Sequence, residues 1–209
     1  MEEYATIKEP YATEIIIKKS RFIGQVYPAA SMEEAAEILE RVKKQYWDAT
    51  HNCSAMIVGP RGEFSRCSDD GEPQGTAGVP MLEALKHSGL TNILAIVTRY
   101  FGGTLLGAGG LVRAYTQGVA EAVKGAQKIL RKPYCVFEME LPFKLWGKAE
   151  AKLLEAGHRL RQVDYTSCVR ASVYVDPKGR EAFLKLMGEL SGGKVVPREN
   201  EAECLEISL

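Results

Sequence analysis

Residues Ile93 to Tyr115 read ILAIVTRYFGGTLLGAGGLVRAY, and the two ends of the stretch keep different periods. Ile93 to Val97 are five consecutive aliphatic residues, the composition of a strand buried on both faces. From Leu111 the apolar residues Val112, Tyr115, Val119, Ala122, Val123 and Ala126 recur at the i, i+3, i+4 spacing of an amphipathic helix. Between them lie Gly102, Gly103, Gly107, Gly109 and Gly110, with Arg99 and Arg113 on either side. Glycine is costly to order, so its concentration implies unusual φ or close backbone approach. Two readings fit equally: bare N–H groups at a helix N-terminus forming a seat for an anion, or a tight strand-to-helix turn. The nucleotide fingerprints do not match. Gly107 precedes Ala108 where a Walker loop needs Gly-Lys-Ser/Thr, and Val112 stands where a dinucleotide loop needs glycine.

A second glycine-punctuated segment precedes this one, Ser68-Asp-Asp-Gly-Glu-Pro-Gln-Gly-Thr-Ala-Gly78. Asp69, Asp70 and Glu72 could hold a hard cation through oxygen, but the spacing is not that of an EF-hand, and such loops commonly form turns and caps. Val79-Pro80 starts a short helix ended by Gly89, which places Thr76 and Gly78 at a second helix N-terminus and a second anion seat. Upstream, Asp48-Ala-Thr-His-Asn-Cys53 leads into a hairpin of Cys53–Val58 and Glu63–Ser68, turned at Gly59-Pro-Arg-Gly62. His51 and Cys53, two apart on a strand, share a face without forming a hydrogen-bonded dyad. No orienting third group is evident, so Cys53 reads as a buried thiol.

The chain's 209 residues suit one domain or two. Twenty-seven basic residues balance 27 acidic ones, leaving no global field for a polyanion or a membrane; nucleic-acid contact must come from a local patch. Five scattered cysteines, Cys53, Cys67, Cys135, Cys168 and Cys204, suggest reduced thiols and neither a disulfide framework nor a zinc site. An acidic start without an apolar run, and no stretch near 20 apolar residues, predict a cytoplasmic protein.

Glu14–Lys18 and Phe22–Tyr27 predict two strands joined through Lys19, Ser20 and Arg21. A helix follows, opened by a Ser31/Glu34 capping box, with Met32, Ala35, Ala36, Leu39 and Val42 inward. The helix that starts near Gly110 runs toward Lys128. The charged segment Gln127–Pro133 then reads as a joint between a domain of residues 1–130 and one of 131–209. Charge does not separate the halves, with 16 basic against 15 acidic residues before Pro133 and 11 against 12 after it. Beyond the joint the periods predict strand, helix, hairpin, helix and strand, a ferredoxin-like βαββαβ module.

DATHNC (48–53), SDDGEPQGTAG (68–78) and TRYFGGTLLGAGGLVRAY (98–115), in this order and spacing, closely resemble the IMPACT family, also called the YigZ family. The resemblance covers roughly Ile17 to Ala126, and the remainder is similar to the small domain found in bacterial members and to the last domain of elongation factor G. It implies an α+β chain whose N-terminal two-layer domain has the fold of a ribosomal-protein domain and of domain IV of elongation factor G. It further implies a translation-associated binding protein, contacting RNA, the ribosome or a translation-regulatory protein; no cofactor is expected, and the dispersed cysteines and His51, His87 and His158 predict no tightly held metal, with a weak cation at Asp69, Asp70 and Glu72 left open. The alternative is an enzyme acting on a phosphorylated small molecule at the same place. The residues assigned to that site are Arg21, Thr50, His51, Asn52, Ser68, Asp69, Asp70, Glu72, Thr76, Gly78, Arg99, Tyr100, Gly102, Gly103, Gly107, Gly109, Gly110 and Arg113. They are expected to converge in one concave site faced by the N-terminus of the Gly110 helix. A competing reading has Arg113 pairing with Asp69 or Asp70 and only bracing the loops.

Overall fold

A computed structural model describes residues 2–209, a mixed α/β chain with two antiparallel sheets and five α-helices. It divides into two compact units. One comprises residues 3–131 with 207–209, the other residues 132–206 with residue 2.

The first unit is built on a sheet of β2 (Tyr11–Ile17), β3 (Ser20–Pro28), β6 (Ile93–Tyr100), β4 (His51–Val58) and β5 (Phe64–Ser68), antiparallel in that order. The aliphatic run is the centre of it. Ile93, Leu94, Ala95, Ile96 and Val97 are all fully buried because helices cover both faces. Ile93, Ala95 and Val97 face α2 (Gly78–Ser88) and α3 (Ala108–Gly125), together with Met81, Leu85, Ala114, Tyr115 and Val119. Leu94 and Ile96 face α1 (Met32–Gln45), with Ala35, Ile38 and Val42. Ser31 caps α1 through a bond from the Glu34 N–H at 3.1 Å, and the Glu34 carboxylate accepts from Ala30 N–H at 2.7 Å. Ala36, expected inward, is exposed, and Ile38 takes its place.

Two differences from the sequence expectation bear on the site. The β2–β3 turn is Lys18-Lys19, both at positive φ (46° and 66°), so Ser20 is not a turn residue but lies fully buried in β3. The α3 helix stops at Gly125, short of the expected run toward Lys128, and the segment in which the two units divide is strand from Lys128 on. Lys128 to Arg131 begin a long strand, β7 (Lys128–Leu141), and pair with β1 (Tyr4–Ile7). Pro133, which cannot donate to a ladder, falls between the β1 pairing, which ends at Arg131, and the β9 pairing, which starts at Cys135.

In the second unit the order is β7, α4 (Phe143–Glu155), β8 (Arg159–Tyr165), β9 (Val169–Val175), α5 (Arg180–Ser191) and β10 (Arg198–Ser208), with a short 3₁₀ turn at Pro177–Gly179. Alternate residues of β7 (Phe137, Met139, Leu141) and β9 (Val169, Ala171, Val173, Val175) meet Trp146, Leu153, Phe183 and Met187 of the helices in a separate core.

Candidate functional site

The site forms where β4 begins and β6 ends. His51 and Arg99 are cross-strand partners, and Arg99 is paired on its other side with Phe22 of β3. Strand alternation turns all three toward α3. Arg99 is only 5% exposed. Its Nη1 donates to Glu72 Oε1 at 2.6 Å and its Nη2 to Ser20 Oγ at 3.4 Å, while its Nε has no partner. The guanidinium lies between the rings of Phe22 and Phe101, at 5.4 and 5.5 Å, within cation–π range. Tyr115 of α3 donates to the same Glu72 oxygen at 2.7 Å.

Desolvating a carboxylate and a guanidinium is costly unless each finds partners, and Glu72 finds both of its own from core elements. Burial foremost, with Cys53 and Glu72 beside it, pushes the Tyr115 phenol far above its ordinary range, so it remains a donor. Burial likewise pushes the Cys53 thiol up to about 12. Its Sγ donates to Asp69 O at 2.9 Å, so Cys53 is no nucleophile for His51 to activate.

His51 is oriented from behind. Its Nδ1 lies 2.8 Å from Asp70 O, which can only accept, so Nδ1 carries the proton and Nε2 is the open nitrogen. Nε2 stands 3.8 Å from Glu72 Oε2. Asp70, at φ 43°, is held in turn by Asn52 N–H at 2.7 Å and Lys43 Nζ at 2.8 Å on its carboxylate.

In front of these groups opens a cleft of ≈ 390 Å³, lined by Thr50, His51, Gly71, Glu72, Pro73, Arg99, Phe101, Leu105 to Ala108 and Leu111. Its far wall is the start of α3. Gly107, at φ 73°, precedes the helix without a side-chain cap, and the first turn has no acidic residue. Gly110 and Leu111 N–H both bond Gly107 O at 3.0 Å, so the earlier N–H groups remain. The loop is anchored by Phe101 N–H on Thr50 Oγ1 (3.0 Å) and Gly102 N–H on Ser20 Oγ (3.2 Å). A side chain at Gly102 would collide with the Lys19 backbone, so glycine here reflects close approach. Phe101 and Leu105 stay 46% and 82% exposed at the rim.

Of the expected site residues, the structure brings Thr50, His51, Glu72, Arg99 and Gly107 to the cleft. Gly102 supports it, and Gly103 (φ 79°) continues the loop. Gly109 and Gly110 lie in the first turn of α3 but not on the lining.

The others belong elsewhere. Asn52 faces α1, in a buried chain running Tyr27, Gln25, Thr98, Asn52. Arg21 and Tyr100 meet each other at 5.5 Å on the opposite sheet face from Arg99, held by Glu14 and Asp48 respectively. The second anion seat is already filled: Asp69 accepts from Gly75, Ala77 and Gly78 N–H at 2.8, 3.0 and 2.8 Å. Burial raises the Asp69 pKa, but these three bonds outweigh it and leave the carboxyl below its ordinary value. Ser68 Oγ accepts from Asp70 N–H, and the Thr76 hydroxyl donates to Pro73 O. Asp69, Asp70 and Glu72 thus serve three different sets of bonds, and among the described residues no His, Cys, Asp and Glu cluster suits a metal. Arg113 is exposed, off the lining, and paired with neither Asp69 nor Asp70.

Sequence reasoning missed Ser20 as part of the site, and missed the Tyr115 bond to Glu72. Tyr115 sits on the apolar stripe of its helix, where only the phenol oxygen hints at a polar partner.

The Impact N-terminal domain matches residues 18–123, which contain every lining residue of the cleft. The IMPACT family member YvyE of Bacillus subtilis (strain 168) is 42% identical over 206 residues, 99% of this chain and 95% of its own. The IMPACT family member YigZ of Escherichia coli (strain K12) is 34% identical, over 93% of this chain and 97% of its own. Protein IMPACT of Xenopus laevis is 32% identical over 95 residues, 43% of this chain and 30% of its own. A crystal structure of a hypothetical protein aligns with a TM-score of 0.63 at 33% identity, over 96% of this chain and 98% of that one. The cleft-bearing domain and the near full-length relatives agree, and the chain belongs to the IMPACT family.

Proposed function

We propose that this protein is a cytoplasmic, translation-associated binding module that holds a nucleotide of single-stranded RNA in the cleft of its first unit. In this reading the residues 3–131 unit is the RNA-facing domain, with the ribosomal-protein and elongation factor G domain IV fold that the resemblance implies. The βαββαβ unit is an independent ferredoxin-like domain. The observation that carries the reading is the pairing of an uncapped α3 N-terminus with an exposed aromatic ring, Phe101, across one small cleft. A helix N-terminus favours a phosphate, and a ring backed by a guanidinium favours a base.

Arg99 does not supply net charge, because Glu72 compensates it. Affinity then rests on stacking, the helix terminus and exposed cations such as Arg113. The salt slope should be shallow, near ~0.7 per phosphate neutralised. The test is fluorescence anisotropy with a single-stranded RNA of about 8 nucleotides. Phe101→Ala should lose roughly 1–3 kcal/mol of binding, the worth of one stacked base. Unchanged affinity, or equal affinity for duplex RNA, would overturn the reading.

A further inference from the structure

We propose that the cleft is catalytic as well as binding, with His51 as the general base of a transesterification in the bound RNA strand; this rests on the RNA reading above. Binding alone does not require the arrangement around His51. The Asp70 carbonyl fixes the proton on Nδ1 and leaves the Nε2 lone pair at the cleft. That carbonyl is itself pinned, since Asp70 takes a left-handed φ of 43° and its carboxylate is tied to Asn52 and Lys43.

Glu72 completes the set. Its Oε1 is taken by Arg99 and Tyr115, which leaves Oε2 at 3.8 Å from Nε2. That separation is too long for a hydrogen bond and suited to steadying an imidazolium once it forms. The uncapped start of α3 faces the same space and favours negative charge, and Arg99, a lining residue only 5% exposed, keeps its Nε buried without a partner. A base, a carboxylate behind it and donors for a developing oxyanion are the parts that phosphoryl transfer asks of a protein when the nucleophile lies within the substrate.

RNA carries that nucleophile beside every phosphodiester. In the step, the 2′-hydroxyl proton passes to His51 Nε2 as the 2′-oxygen bonds to phosphorus. The bond from phosphorus to the 5′-oxygen breaks, and the 5′-oxygen leaves with the electron pair and takes a proton from water. The hydroxide so formed accepts the proton held by His51. The products are a 2′,3′-cyclic phosphate and a 5′-hydroxyl end, and nothing else is consumed. His51 is the catalytic residue; Asp70 and Glu72 are positioning residues.

The experiment incubates the full chain with a single-stranded RNA of about 8 nucleotides, measuring binding by anisotropy and strand ends by mass in the same samples. His51→Gln, purified identically, and the all-2′-deoxy oligonucleotide are the two controls. Expected are cyclic-phosphate ends formed ~10²–10⁴-fold faster by the native chain than by His51→Gln. The variant should keep its melting temperature, and the deoxy strand should bind to the native chain uncut. RNA bound but cut no faster than by His51→Gln overturns the catalytic inference and leaves the binding reading standing. RNA not bound at all overturns both. Cutting that is equal in the two proteins, or that persists on the deoxy strand, also overturns the inference.

Discussion

Glu72 is the residue on which the site's geometry turns. It is 7% exposed and holds Arg99 and Tyr115 by one oxygen. Glu72→Ala leaves the Arg99 charge buried without its partner, a loss of about 3–5 kcal/mol when a buried pair is broken. Urea unfolding should show it as a lower midpoint at unchanged slope; a loss under ~1 kcal/mol would mean that water screens the pair. Asp69 makes a different kind of bond, with three N–H groups at the start of α2. Its folded pKa lies below its unfolded one, so its stabilisation is present above the unfolded value and is lost as pH falls through the folded value. The stability gap between the native chain and Asp69→Asn should therefore be full at neutral pH and close in acid, below about pH 4. A gap that widens in acid would contradict the assignment. Among the described residues Arg113 is exposed and pairs with neither Asp69 nor Asp70, whose carboxylates bond other groups, so it does not brace the loops. Arg113→Ala should shift stability by less than ~0.5 kcal/mol and weaken RNA binding; a clear drop in melting temperature would refute this.

At the scale of elements, the two glycine-rich segments look alike in sequence and differ in structure. Each leads into a helix, but α2 receives its own carboxylate from Asp69, whereas α3 receives none. Gly109 is the place to exploit this. Its φ lies outside the left-handed region, and an added Cβ meets nothing within 4 Å. Gly109→Glu should stabilise the fold, by up to ~1 kcal/mol for replacing glycine in a helix and about 0.3–1 kcal/mol for an acid near the terminus. The same change should weaken RNA binding, because the new carboxylate competes for the N–H groups. Thermal melts and anisotropy would move in opposite senses; binding that stays level while the melt rises would remove the α3 terminus from the site.

For the whole molecule, the passage between the two units is a strand. Lys128 to Arg131 are hydrogen-bonded to β1, and β7 continues to Leu141. Limited subtilisin digestion should therefore spare Gln127–Pro133 and cut first in exposed connections such as Gly192-Gly193, both at positive φ. A dominant early cut between 127 and 133 would mean that the β1 pairing opens readily. The charged, proline-ended composition of this segment suggests a linker because composition registers polarity but not a distant partner strand. Tyr4–Ile7 supplies that partner from more than 100 residues away.

What the sequence determined by itself were the features with a local physical cause. The aliphatic run makes a strand buried on both faces, the Ser31 and Glu34 side chains cap α1, and Gly89 closes α2 in the left-handed region. The order βαββαβ beyond Pro133 is equally local, set by period and by turn residues. The tertiary structure alone decided which polar residues share a site. Arg21 and Arg99 are both arginines at strand ends, yet opposite parity sends one to each face of the sheet. Asp69, Asp70 and Glu72 are near neighbours in sequence, yet one caps a helix, one pins His51 and one holds Arg99. Register and the crossing of α3 over β6 choose among such neighbours, and those are long-range pairings that no window of sequence contains.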